Sequence, residues 1–259
     1  SVSIPELEAA LERVRLLAVV DDTGRFPVPG HLVVNSALGL DPPERRDGTR
    51  YLLGPRFALL APEFAEPPVR SWREGVRRIL LVLGGATSAS LMAALARVVR
   101  RALPEATLDV IVGPAGDVPA AVTAALAGLG GVILHAAPES IRALMLDADL
   151  AVTAGGVTLL ELAATSTPSV GVSVVSNQQA NLPGLARGGA LLLAGGAGDP
   201  GLPDALEAAL TSLTADAGRR RALGERARQL VDGRGAARVA EAMRELLAEV
   251  PLAARGGRC

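Results

Sequence analysis

From residue 77 onward the chain alternates short, continuous apolar runs with stretches of helical period, and this alternation decides the fold class. Runs at 79–83, 108–112, 132–135, 149–153, 169–174 and 190–193 read as strands, with helical stretches at 88–103, 118–129, 138–147, 154–165 and 177–187 between them. A strand that is apolar along its whole length is buried on both faces. Helices between such strands make the sheet parallel. Right-handed crossovers then wind it into a Rossmann-like domain with strand order 3-2-1-4-5-6. Three further helices are expected at 202–213, 217–231 and 236–249. An apolar fraction of 49% with only 2% aromatic, mostly Ala, Leu and Val, suits layers built from small side chains.

The first 76 residues read differently. A helix at 5–13 leads into a strand at 16–20 that ends at Asp21 and Asp22, and the rest is rich in Pro and Gly with apolar runs at 32–34 and 51–60. That is too few strands for a self-sufficient domain. The expected organisation is an incomplete N-terminal α/β domain over 1–66, a linker over 67–78, a complete Rossmann-like domain over 79–249 and a tail over 250–259. An unfinished sheet exposes strand edges, which invites self-association.

Several function classes are excluded on the same reading. A formal charge of −1 argues against a nucleic-acid or anionic-membrane surface. No apolar run reaches the length of a membrane span, and no signal-peptide pattern opens the sequence. The single cysteine, Cys259, has no internal partner, so a cytoplasmic setting is the default expectation. All 26 basic residues are arginine, which rules out a P-loop lysine, a Schiff base and a lysine general base. His31 and His135 stand far apart and no Cys/His cluster exists, so neither a metal nor a cofactor is expected.

Three loops fall at carboxyl ends of the expected strands, where open α/β sheets bind ligands. One carries Gly84 and Gly85, with Ser88 as a helix cap. A second carries Gly155 and Gly156 and opens a helix at Val157 and Thr158, whose bare N–H groups and dipole favour phosphate. Its plainer alternative is a left-handed turn packed against a helix. Strands one and four of this order are neighbours, so both glycine loops face one crevice, as a diphosphate requires. Glu161, about one turn into the helix, is placed to accept from ribose hydroxyls. The third loop carries Asn177 and Gln178, whose amides orient sugar hydroxyls or cap a helix. Leu134 and His135 end the third strand, as a wall for a base or as a polar strand terminus. Asp21 and Asp22, being adjacent, point in opposite directions, so at most one faces a cleft.

Residues Tyr51 to Phe64, with Gly54, Pro55, Arg56 and Phe57 at their centre, resemble the segment joining the two domains of the UDP-sugar hydrolases of pseudaminic acid biosynthesis. Spore-coat polysaccharide proteins and the UDP-GlcNAc transferase of peptidoglycan synthesis are similar further out. Ala154 to Glu161 resembles the family's Ala-Gly-Gly-Ser-Thr-x-x-Glu, and Asn177-Gln178 its Asn-Gln. The resemblance implies a GT-B architecture, two Rossmann-like domains with the active site between them, and UDP or a UDP-sugar as ligand. It places Gly84, Gly85, Gly155 and Gly156 at the diphosphate and Glu161 on the ribose. The backbone around Leu134–Ala136 then meets the uracil, and Asn177 and Gln178 face diphosphate or sugar. The family's catalytic histidine motif is absent, and Asp21 and Asp22 are the candidates left for a base. Ser36 stands where the family carries Gln. The expectation is therefore a hydrolase-like UDP-sugar binder with little or no turnover. The alternatives are a GT-B glycosyltransferase and a non-catalytic binding module.

Overall fold

The computed structural model describes residues 2–22, 27–41, 48–84, 87–113, 118–174 and 181–249. The chain divides into two compact units, Leu60–Gly233 and Ser1–Leu59 together with Arg234–Cys259.

The smaller unit opens with α1 (Ile4–Leu11), started by a capping box between Ser3 and Glu6. Its sheet holds β1 (Ala18–Val20), β2 (Leu32–Asn35) and β3 (Arg50–Leu53), all parallel, in the order β1-β2-β3. β2 is central and buried throughout, as its run of Leu32, Val33 and Val34 requires. The apolar run at 51–60 is only partly strand. Gly54, at φ +103°, turns the chain out of the sheet, and Pro55–Phe57 forms a 3-10 turn.

The larger unit takes up β4 (Arg78–Val82), α2 (Ala89–Ala102), β5 (Thr107–Val112), α3 (Val118–Leu126), β6 (Val132–Ala136) and α4 (Ile141–Asp147). It continues with β7 (Leu150–Thr153), α5 (Val157–Ala164), β8 (Ser169–Ser173), α6 (Asn181–Arg187), β9 (Leu192–Gly196), α7 (Leu202–Ala215) and α8 (Ala217–Leu230). The six strands are parallel in the order β6-β5-β4-β7-β8-β9, which is 3-2-1-4-5-6 counted within the unit, as the sequence pattern requires. Ile79, Leu81, Val110, Leu150 and Val152 lie in its core. α2 adds Met92, Leu95, Ala96 and Val99 at helical spacing, and burying such side chains contributes about 1.5–3 kcal/mol for each large one.

The charged stretch 70–78 is stitched into this larger unit. Arg70 donates to the carbonyls of Met145 and Ala148 at the end of α4 and to Thr167 Oγ1, and burial pulls its guanidinium down to about 10. Arg220, 2% exposed, donates to the carbonyls of Arg73 and Glu74 at 2.7 Å each. Among the described residues the Arg73 and Glu74 carbonyls accept from no backbone N–H, so Arg220, buried, and Arg70, half-buried, fix the entry into β4.

The last helix, α9 (Gly235–Glu249), packs with the smaller sheet, whereas its position in sequence placed it at the end of the Rossmann-like domain. Val239 and Ala242 join Leu32, Val34 and Leu52 in one cluster. Gly235 permits this approach: a Cβ there would lie 2.2 Å from the Ala58 carbonyl oxygen.

Candidate functional site

The carboxyl edge of the six-stranded sheet is built from two glycine loops on neighbouring strands. Val82 on β4 pairs with Thr153 on β7, so Gly84 and Gly155 each stand two residues beyond a paired position. Gly84 has φ +83°, a conformation that costs a side-chain-bearing residue about 1–2 kcal/mol. Thr87 Oγ1 donates back to the Leu83 carbonyl at 3.0 Å and closes this loop, and Ser88 caps α2 through the Leu91 N–H. Gly85 lies outside the described residues.

On the other side, Gly156 is the N-cap of α5 and supplies no side chain. Val157 and Thr158 therefore open the helix with N–H groups that no side chain caps, and the first turn carries no acidic residue. Val157 is 59% exposed, so that helix end faces solvent. A helix dipole and N–H groups without a side-chain cap both favour an anion at such an end. Asn181, the first residue of α6, donates from Nδ2 to the Gly155 carbonyl at 3.3 Å. Sequence reasoning passed over this residue; its position just beyond Asn177 and Gln178 was the available signal. Asn177 and Gln178 themselves lie outside the described residues.

Glu161 is half-buried, and its carboxylate makes no hydrogen bond or ion pair within the described residues. Burial, and then the neighbouring charge of Glu63, push its carboxyl above the usual value. Glu63 sits on the 3-10 turn Pro62–Ala65, which packs against α5. A carboxylate that has lost water and gained no donor is costly to keep charged.

Two strands away from β4, Leu134 is half-buried and His135 is committed to a network. The imidazole Nε2 lies 2.8 Å from Asp109 Oδ1, and Arg78 grips the same carboxylate through Nε and Nη2 at 3.0 and 2.7 Å. The strand ends at Ala136, one residue beyond His135. There Ala137 has φ +46° while its N–H donates to the Val112 carbonyl, a left-handed non-glycine turn at the carboxyl edge of the sheet that no residue type announced. Asp21 and Asp22 belong to the smaller unit, at the end of β1. Asp21 is buried and Asp22 exposed, so the two do point apart. Among the described residues there is no cluster of three or more His, Cys, Asp or Glu able to hold a metal, and no helix long and apolar enough to cross a membrane.

The six-stranded parallel sheet wrapped by helices, with a second, smaller parallel α/β unit, is a GT-B-like fold. Comparison with solved structures gives the same answer. The chain is similar to MurG of Acinetobacter baumannii, with a TM-score of 0.63 and 16% identity over 93% of this chain and 70% of that one. It is also similar to the pneumococcal O-GlcNAc transferase GtfA in complex with UDP and GlcNAc, with a TM-score of 0.57 and 13% identity over 93% of this chain. The spinosyn rhamnosyltransferase SpnG, complexed with thymidine diphosphate, follows with a TM-score of 0.53 and 14% identity over 83% of this chain. The chain spans 55% and 57% of the length of those two structures. No protein-family model matches the sequence, and no curated protein does.

Proposed function

We propose that the chain binds a nucleoside diphosphate-sugar, with UDP as the nucleotide, at the carboxyl edge of its larger sheet, and that it serves sugar transfer of the GT-B type. One observation carries this reading: the uncapped N-terminus of α5 stands beside the Gly84 loop, with the unpartnered Glu161 one turn further in. In this reading the N–H groups of Val157 and Thr158 hold the diphosphate. Their fixed dipoles offset the charge that grows on it as the bond to the sugar breaks. Glu161 accepts from the ribose hydroxyls, the backbone after Leu134 and His135 meets the base, and Asn177 and Gln178 face the diphosphate or sugar. The likeness to sugar transferases, two of them named with a nucleoside diphosphate bound, favours transfer over hydrolysis.

Hydrolysis of a UDP-sugar is the second reading, supported by the resemblance of Tyr51–Phe64 to the hydrolase segment. Labelled UDP-GlcNAc separates the two. Release of free sugar from water alone at about 1 s⁻¹ or faster supports the hydrolase and overturns transfer. Release that depends on an added acceptor supports transfer. Failure of UDP to bind overturns both.

A further inference from the structure

At the amino edge of the three-stranded sheet, a histidine ring serves as an acceptor for the backbone. Leu17, on the step into β1, donates its N–H to His31 Nδ1 at 2.9 Å. The Leu17 carbonyl in turn accepts from the His31 N–H at 2.9 Å and from the Leu32 N–H at 3.2 Å. The ring bond fixes the tautomer: Nδ1 offers a lone pair, so the proton of the neutral imidazole sits on Nε2. In an imidazolium both ring nitrogens are donors. A proton on Nδ1 therefore sets two N–H groups against each other and ends the attraction.

What this bond holds is the junction between α1 and β1. β1 is three residues long and, among the described residues, pairs with β2 alone. α1, which leads into it, buries none of its residues. With so little packing behind it, the junction depends on the clamp between Leu17 and His31. The His31 side of the clamp is anchored. The His31 carbonyl accepts from the Arg50 N–H at 2.9 Å, and the Gly30 carbonyl from Thr49 Oγ1 at 2.8 Å.

The charges around the ring come from three elements. Among the described residues, Glu8 of α1 lines one cavity with His31 and supplies a counter-charge for an imidazolium. Arg50 on β3 is turned to Glu245 of α9 at 2.6 Å. Arg15, just ahead of β1, donates to the Leu247 carbonyl at 3.3 Å.

We propose that His31 is an acid-released latch: its neutral ring holds the α1–β1 junction to the start of β2, and a proton on Nδ1 lets that junction go. The latch belongs to the smaller unit and stands independently of the nucleotide reading. Amide exchange and the imidazole ¹⁵N signals of the labelled full chain test it at about pH 8 and about pH 5, on either side of the ordinary imidazole range. At the higher pH, Nδ1 is unprotonated and the Leu17 amide is protected. At the lower pH both ring nitrogens carry protons. The Leu17 protection factor, corrected for the intrinsic effect of pH on exchange, then falls by about 3- to 10-fold, the value of one neutral hydrogen bond. Val110 in the larger sheet keeps its protection.

His31→Asn places an amide oxygen where Nδ1 stood and takes up no proton there, so its Leu17 protection is the same at both pH values. If that variant does not fold, the wild-type ring signals and exchange rates decide alone. Four wild-type results each overturn the proposal: a proton on Nδ1 at the higher pH, a ring still neutral at the lower pH, an imidazolium with Leu17 fully protected, or a loss of protection that Val110 shares. An equal loss of protection in His31→Asn overturns it as well.

Discussion

Asn181 Nδ2 donates to the carbonyl of Gly155 at 3.3 Å, tying the start of α6 to the loop that opens α5. The bond fixes a glycine whose own backbone is otherwise free to turn, and so it orders the N–H groups of Val157 and Thr158 before any ligand arrives. Asn181→Ala is expected to weaken UDP binding by about 0.5–1.5 kcal/mol while leaving the melting temperature nearly unchanged. Calorimetry on both proteins checks this. Unchanged affinity removes Asn181 from the site.

Glu161 gives the protein one pH-dependent contribution to its stability. Its carboxyl is raised above 4.5, first by burial and then by Glu63. As pH rises through the usual carboxylate range, the unfolded chain loses this proton before the native one does. For this group, then, stability is present at low pH and lost as pH rises through the raised value. Glu161→Gln removes the penalty. The variant is expected to be at least as stable as the parent at pH 7, with the advantage gone at pH 4, in urea unfolding at both values. A variant less stable at pH 7 contradicts a desolvated, unpartnered carboxylate.

Gly235 is where α9 meets the backbone of the smaller unit. A Cβ there would lie 2.2 Å from Ala58 O and 2.6 Å from Ala58 N, atoms that cannot swing aside. Gly235→Ala is expected to destabilise the smaller unit by about 1–3 kcal/mol, outweighing the better helix propensity of alanine. Hydrogen exchange reads this directly, with faster exchange at Leu32, Val33 and Val34. Slower exchange there contradicts the close contact.

The larger sheet was legible because each strand is a continuous apolar run, and the handedness of crossovers then leaves few orders to choose from. The two glycine loops were legible for the same reason: they follow strands. The partner of α9 was not. An amphipathic helix shows which face is apolar but not which sheet will cover it, and Val239 and Ala242 suit either. Nothing in the sequence marks Arg70, in the expected linker, or Arg220 as binding carbonyls, because only the folded chain brings those carbonyls together. Ala137 carries no sign of its left-handed turn, because alanine is chosen for almost any backbone.

Titration of UDP into the wild-type chain and into Glu161→Ala tests the central claim most directly. The wild type is expected to bind UDP, and the variant to lose about 1–3 kcal/mol, the range for a hydrogen bond to a charged acceptor. No binding by the wild type, or equal affinity in the two, contradicts a ribose-diphosphate site at the α5 N-terminus.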